Sequence, residues 1–145
     1  MDRSLLLISI DGEWAAIGAD IIRSVVEIEA VTPVPCAPDH IAGLAALRSR
    51  AMTVVDCRRA LELRPAADED GRLAVVVELG EYLYALLVDG IEEVVPLESE
   101  PSEIRADLLP GWTRASLGMV ETSAGPALLL DPARLIEGPP KRKAA

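Results

Sequence analysis

The feature that most constrains this chain is an internal repeat of short apolar segments. When the sequence is shifted by 69 positions, residues 5–28 align with residues 74–97 without a gap. Five identical pairs result, among them Asp20 with Asp89, and six further pairs match one Leu, Ile or Val with another. Apolar β segments resemble each other by composition, but a gapless register with a matched Asp favours a duplication.

A second register extends the repeat. A shift of 75 positions aligns Gly43 with Gly118 and Asp56 with Asp131. The period is too long for a solenoid, and only two copies are present. The repeat therefore predicts two small, related β-rich subdomains in one compact unit. We expect a single domain over residues 1–145.

The segments inside the repeat are typical of strands, because they are short and rich in β-branched and aliphatic residues. Asp11-Gly12 is a strong hairpin signal between the first two. We expect an all-β barrel or sandwich, with approximate subdomain halves over residues 5–65 and 72–137 and a flexible tail over 138–145. The predicted strands cover residues 5–10, 14–17, 25–31, 51–55, 73–79, 82–88, 94–95 and 127–130.

Three aspartates follow predicted strands and could suggest a carboxylate pair or a metal site. Asp56 and Asp131 also precede short segments that could be helical, so N-capping explains them better. Asp89 stands before Gly90, and a turn explains it. We therefore expect Asp56, Asp89 and Asp131 to have structural roles, with short helices over residues 56–61 and 131–136.

Composition opposes several classes of function. The chain has 145 residues with 14 basic and 24 acidic side chains, a formal net charge of −10. That balance argues against general nucleic-acid binding, and the absence of Phe, with two Trp and two Tyr, argues against single-strand stacking. Residues 61–110 carry 3 basic and 13 acidic residues, so they hold the whole imbalance. A small basic cluster lies before them: Arg48, Arg50, Arg58 and Arg59.

Motifs that specify a reaction are not evident. His40 is the single imidazole, so a Ser–His–acid triad would have to use it, and no Gly-x-Ser-x-Gly elbow is present. Cys36 and Cys57 lack the spacing of a zinc site, and no glycine-rich phosphate loop is found. We expect no catalytic residue, no metal and no cofactor.

The compartment follows from two further features. The apolar stretch near the start is too short for a signal peptide. No apolar run reaches the roughly 18–20 residues of a spanning helix. We expect a cytoplasmic protein without direct membrane insertion.

Binding is then the remaining class of function. Residues 41–47 are apolar and stand beside Arg48, a residue type enriched at interface hot spots. Two alternatives stay open at this point. One is a small-molecule sensor or enzyme on a duplicated barrel, which needs a concave pocket. The other, which composition opposes, is a single-strand-binding barrel.

Several pieces of the sequence, taken in order over about residues 5–136, resemble the CheW-like domain family, the coupling proteins of bacterial chemosensory arrays. Each piece is weak alone, and their order makes the resemblance fairly specific. The matching pieces are residues 20–26 (DIIRSVV), 33–35 (PVP), 41–48 (IAGLAALR), 53–56 (TVVD), 87–91 (LVDGI) with 94–95, and 129–131 (LLD) with Leu135.

The resemblance implies a mainly β fold, with two similar five-stranded β-barrel subdomains around a shared core and short helices. It also implies a non-enzymatic adaptor that joins the regulatory domain of a CheA-type histidine kinase to the cytoplasmic tip of chemoreceptors. Arg48 would be the polar contact at a groove between the subdomains. Ile22, Val25 and Gly43 match family positions tied to coupling, and Leu44 lies in the same apolar stretch.

The sequence departs from the family pattern at four positions. Ser24 replaces a usual Glu, Ser49 a Gly, Thr53 a Pro and Cys57 a Leu. The change beside Arg48 matters most, because glycine adopts positive φ without strain and serine does not. An alternative is therefore a divergent or accessory member that binds the kinase but not receptors.

Overall fold

A computed structural model describes residues 4–65, 72–104 and 107–140. Strands dominate these residues, with three short α-helices and one 3-10 turn, Ala19–Ile21. The strands are β1 Ser4–Ile10, β2 Glu13–Gly18, β3 Ile22–Ile28, β4 Ile41–Leu47, β5 Arg50–Asp56, β6 Arg72–Leu79, β7 Tyr82–Val88, β8 Gly90–Pro96, β9 Ser116–Thr122 and β10 Gly125–Leu130. The helices are α1 Cys57–Ala60, α2 Pro110–Ala115 and α3 Pro132–Glu137.

Local signals in the sequence produce the turns and helix starts where they were predicted. Asp11 and Gly12 have φ of 51° and 79° and join β1 to β2, as a two-residue hairpin with primed geometry requires. The Asp56 carboxylate accepts the backbone N–H groups of Arg58 and Arg59 at 3.1 and 3.3 Å. Asp131 accepts the N–H of Ala133 at 3.0 Å. Both aspartates are therefore N-caps, as predicted.

The strands form two five-stranded sheets. Sheet A has the order β8-β1-β2-β10-β9, and sheet B has the order β3-β6-β7-β5-β4. Two five-stranded units are as expected, but neither sheet closes by strand pairing. β8 and β9 are the edges of sheet A, and β3 and β4 are the edges of sheet B. The expectation of closed barrels is wrong in this respect.

The sheets also correct the predicted halves 5–65 and 72–137. Sheet A takes β1 and β2 from the first half and β8 to β10 from the second, and sheet B makes the reciprocal choice. The parallel pair β2–β10 of sheet A corresponds to the parallel pair β7–β5 of sheet B. Leu129 lies opposite Ala16 in the first pair, and Val54 lies opposite Ala85 in the second. These pairs are related by the shifts of 75 and 69 found in the sequence. The halves exchange hairpins, so neither half is a subdomain.

Three apolar clusters hold this arrangement together. The central cluster includes Ile8 and Ile17 of sheet A and Val75 and Leu86 of sheet B, all fully buried. A smaller cluster lies on the opposite face of each sheet. The expected shared core is confirmed, because alternate side chains of each sheet enter the central cluster.

The structure adds elements that the sequence patterns did not predict. β4, β9 and α2 were all missed, and β3 begins three residues before the predicted start. Gly43 and Gly118 lie at matching irregularities of β4 and β9, with φ of 149° and 152°. Their shared conformation shows that the repeat extends to these two strands.

The prediction of a flexible tail over residues 138–145 is wrong for its first residue. Gly138 is buried, and its backbone N–H donates to the Arg134 carbonyl at 3.0 Å. Its carbonyl accepts the Arg114 guanidinium at 3.0 Å. Residues 141–145 lie outside the described residues. In the described part of the chain, no helix has the length and apolar character needed to cross a membrane.

Candidate partner-binding surface

All five residues predicted to bind partners lie on sheet B. Ile22 and Val25 are on β3, one edge strand, and Gly43 and Leu44 are on β4, the opposite edge. Arg48 occupies the turn between β4 and β5. The structure brings the last three together and separates them from the first two by three strands.

A row of paired residues crosses the sheet and links the two edges. Ile22 lies opposite Val77, Val77 opposite Tyr84, Tyr84 opposite Thr53, and Thr53 opposite Leu44. Directly paired residues project from the same face of a sheet. Ile22 and Leu44 therefore lie on one face, the face that also contributes to the central core.

The neighbouring row explains why Val25 is exposed. It runs from Val25 through Val75, Leu86 and Val55 to Ile41. The middle three side chains are fully buried in the central cluster. Val25 ends the row at the sheet edge and keeps 46% of its surface exposed. It therefore extends the apolar face of the core out to solvent.

Five uncharged residues lie at the other end of the same face, and we call them the sheet B patch: Leu44, Ala51, Thr53, Tyr82 and Tyr84. The charged residues Arg50 and Glu81 border this patch. These residues line a shallow groove of about 340 Å³. Leu44 is 43% exposed and Tyr82 is 69% exposed. Large apolar and aromatic side chains in this state are typical of the central part of an interface.

Arg48 stands beside this patch on a two-residue hairpin. Arg48 and Ser49 have φ of 48° and 72°, so both central residues of the turn are left-handed. Within the described residues the Arg48 guanidinium makes no hydrogen bond or ion pair, whereas Arg50 contacts Glu78 at 3.4 Å. Arg48 is thus available to a partner, and Ser49 bears the backbone strain that a glycine would avoid.

Gly43 has a different role from its neighbours. It is buried, and a Cβ at this position would overlap the carbonyl oxygen of Thr32. The Thr32 and Leu44 backbones exchange hydrogen bonds of 2.8 and 2.9 Å across this close approach. Gly43 therefore shapes the β4 backbone beneath Leu44 and does not itself present a contact surface.

Sequence reasoning missed the role of Arg58. Its Nε and Nη2 donate to the two carboxylate oxygens of Asp89 at 3.0 and 2.7 Å, and its Nη1 lies 3.5 Å from Asp11 Oδ1. We call these three residues the Arg58 clamp. Arg58 follows sheet B, Asp11 lies in a turn of sheet A, and Asp89 joins the two sheets. The membership of Arg58 in the basic cluster was the one available signal.

The pKa of Asp89 reflects this clamp. Partial burial by itself raises the pKa of the carboxyl, but hydrogen bonds from Arg58 and from the backbone N–H of Asp11 outweigh it. The net result is a pKa below the ordinary value. Asp89 thus lies between β7 and β8 and forms an ion pair with Arg58, which the sequence did not predict.

The histidine and the cysteines of the chain belong to two residue types that are often catalytic. His40 is buried, with its Nε2 2.7 Å from the carbonyl oxygen of Ile136. Cys57 is buried, and desolvation raises the pKa of its thiol. Cys36 is exposed. Across residues 4–65, 72–104 and 107–140, no three His, Cys, Asp or Glu side chains group as metal ligands.

Comparison with known proteins gives one consistent result. The family model described as the CheW-like domain matches residues 4–139. The chemotaxis protein CheW of Treponema pallidum (strain Nichols) is 24% identical over 135 residues, which cover 88% of this chain and 79% of the relative. The crystal structure of the scaffolding protein TtCheW from Thermoanaerobacter tengcongensis has a similar fold, with a TM-score of 0.78, 19% identity and 90% of each chain covered.

Proposed function

The chain belongs to the CheW-like domain family, and from this premise we propose that it is a non-enzymatic adaptor of a bacterial chemosensory array. It links the regulatory domain of a CheA-type histidine kinase to the cytoplasmic tip of chemoreceptors. The observation that carries the proposal is the family match over residues 4–139. The similar relatives, described as a chemotaxis protein and a scaffolding protein, support the same role.

The receptor contact is proposed for the face of sheet B. Leu44 and Tyr82 expose apolar surface in the sheet B patch, and Val25 is exposed at the opposite edge of the sheet. Arg48 lies in the hairpin after β4, and among the described residues its guanidinium has no hydrogen-bond or ion-pair partner. Burying such apolar surface contributes about 25 cal/mol per Å², and arginine adds directed hydrogen bonds to acceptors on the partner. A helical receptor tip could lay its apolar side chains over the patch and place a carboxylate against Arg48.

The adaptor role implies a cytoplasmic location, because its two partners meet at the cytoplasmic tip of the receptors. The accessory role remains the alternative: a member that binds the kinase only. The two roles differ in whether the face of sheet B has an occupant.

Kinase binding is tested by titration calorimetry with the purified regulatory domain of a CheA-type histidine kinase from the same organism. We expect saturable one-to-one binding in the micromolar range or tighter. Absence of heat and of co-elution at several hundred micromolar would contradict the adaptor role and the accessory role together.

Receptor binding is tested with Arg48→Glu and a charge-matched control, Arg64→Glu. Both arginines are exposed, but Arg64 lies outside the sheet B patch. Arg48→Glu should leave the melting temperature nearly unchanged and weaken recruitment to a receptor-tip fragment at least tenfold, about 1.4 kcal/mol. Arg64→Glu should bind as the wild type does. Lost stability with intact recruitment would make Arg48 a structural residue instead.

A further inference from the structure

A second surface, on sheet A, is lined mainly by apolar side chains. It is a groove of about 800 Å³, within the usual range for binding sites. We call it the sheet A groove. Its apolar lining includes Leu5, Ile21, Leu97, Leu117 and Leu129, and Asp20 is the one charged residue among the described residues that line it. Leu117 keeps 51% of its surface exposed.

The internal repeat identifies the counterpart of this groove in the other half of the molecule. Asp20 aligns with Asp89, and Ala133 aligns with Arg58. The second match is geometric as well as sequential. The N–H of Arg58 donates to the Asp56 cap at 3.1 Å, and the N–H of Ala133 donates to the Asp131 cap at 3.0 Å.

The counterpart is filled by the chain itself. Arg58 extends from its capped helix and closes a bidentate ion pair on Asp89, with only 17% of its side chain exposed. In the other half the corresponding residue is Ala133, which follows Pro132, a lining residue of the sheet A groove, and carries only a methyl group. In the described part of the chain, the Asp20 carboxylate then makes no ion pair. One half of the molecule thus carries the guanidinium that the other half lacks.

We propose that the sheet A groove binds an apolar segment of a partner protein that carries one arginine, and that this guanidinium pairs with Asp20. The Arg58 clamp shows the geometry within the same molecule. Arginine fits better than lysine because its planar guanidinium can satisfy both carboxylate oxygens. The apolar walls would cover the leucine-like side chains and the aliphatic stem of the arginine.

This inference goes beyond the proposed function and does not depend on it. The receptor contact proposed above lies on sheet B, and the groove lies on sheet A. The two surfaces use different strands, so both can be occupied at once.

The test uses methyl-detected NMR on the full chain and a defined probe, the peptide acetyl-Leu-Arg-Leu-Leu-amide at millimolar concentration. Its control peptide replaces Arg by citrulline, which keeps the shape and removes the charge. We expect shift changes confined to methyl groups of the groove, such as Leu117 and Leu129. The citrulline peptide should bind at least fivefold more weakly.

Protein variants then test separately the charge of Asp20 and the filling of the sheet A groove by an internal side chain. Asp20→Asn should weaken the arginine peptide at least fivefold, and Asp39→Asn, an exposed carboxylate outside the groove, should not. Ala133→Arg should create an internal ion pair with Asp20 and abolish peptide binding while the fold is retained.

The outcomes are decisive in either direction. Groove-confined shifts that depend on both the guanidinium and Asp20 support the inference, even if the kinase domain fails to bind and the adaptor role falls. Shifts spread over the surface, equal binding of the citrulline peptide, or no shifts at all overturn it. Unaltered peptide binding by a folded Ala133→Arg variant overturns it as well.

Discussion

The two halves of the chain share strands and capped helices but differ in the side chains that follow the caps. In both halves an aspartate caps a short helix, Asp56 before α1 and Asp131 before α3. In the first half Arg58 then reaches across to Asp89 and ties sheet B to sheet A. In the second half the equivalent residue is Ala133, which has no guanidinium, and the neighbouring Pro132 lines the sheet A groove.

The hairpins that join equivalent strands also differ between the two halves, in their backbone conformation. The β4–β5 hairpin of the first half places Arg48 and Ser49 at positive φ, whereas at the β9–β10 hairpin only Gly125 has positive φ. Duplication therefore preserves strands, caps and register, and the surfaces have diverged.

The shared framework should be most sensitive at its paired glycines. Gly43→Ala adds a Cβ that overlaps the Thr32 carbonyl oxygen, and Gly118→Ala adds one 2.8 Å from the Ser102 carbonyl oxygen. We expect losses in free energy of unfolding of about 3 kcal/mol or more and about 2 kcal/mol, respectively. Urea denaturation gives both values.

Gly80→Ala is the matched control for the glycine pair. Gly80 has φ of 63°, but a Cβ there would meet no atom within 4 Å. Its loss should be about 1 kcal/mol, which is the backbone cost alone. Equal losses at all three sites would show that the close approaches at Gly43 and Gly118 carry no weight.

The Arg58 clamp distinguishes the two halves, and removing it should cost less than the Gly43 change. Arg58→Ala leaves Asp89 without its bidentate partner, so the free energy of unfolding should fall by about 2 kcal/mol. Arg59→Ala, on the same helix, removes an exposed guanidinium that lies 3.7 Å from Asp56, and should cost under about 0.5 kcal/mol. Similar losses for both variants in thermal denaturation would contradict a special role for the clamp.

The clamp should also make stability depend on pH. The pKa of Asp89 is lower in the folded protein than its unfolded value of about 3.9. Its stabilisation is therefore fully present above about pH 4 and is lost as the pH falls through the folded pKa. Asp89→Asn should be less stable than the wild type by about 1.5 kcal/mol at pH 7.

Denaturant titrations of Asp89→Asn and the wild type at several pH values test this dependence. The difference between the two proteins should shrink as the pH falls from 4 toward 2. A difference that stays constant with pH would mean that the Asp89 carboxylate does not provide the charge dependence.

The smallest expected effect is a gain at the strained hairpin of the first half. Ser49→Gly relieves positive φ at a turn residue and should stabilise the protein by about 0.5–1 kcal/mol. Ala124→Gly, at the aligned position of the second hairpin, has no positive φ to relieve and should be neutral or destabilising. Calorimetric melting temperatures compare the two. A gain at both positions would point to general loop flexibility instead of strain.

Local chemistry in the sequence predicted the local structure well. Asp11-Gly12 formed its hairpin, and Asp56 and Asp131 became caps, because each depends on residues only a few positions apart. β4 was missed because its Ala and Gly residues have low β propensity. It forms through pairing with β5 and through the close approach that Gly43 permits.

The exchange of hairpins between the halves could not be predicted from the repeat. Because β3 and β8 are equivalent copies, the same sequence repeat is compatible with β1 pairing with either of them. That choice depends on contacts far apart in the chain. The same limit hid the clamp, since Arg58 and Asp89 are 31 positions apart. The resemblance selected Arg48, Val25 and Leu44, which are exposed on sheet B, but it gave no sign of the sheet A groove.

The most direct test of the adaptor role is whether one molecule binds both partners at once. Analytical ultracentrifugation of this chain with the kinase regulatory domain and a receptor-tip fragment, each at saturating concentration, measures this. The account predicts a ternary complex that loses only the receptor fragment with Arg48→Glu. Mutually exclusive binding, or loss of both partners with that variant, would contradict it.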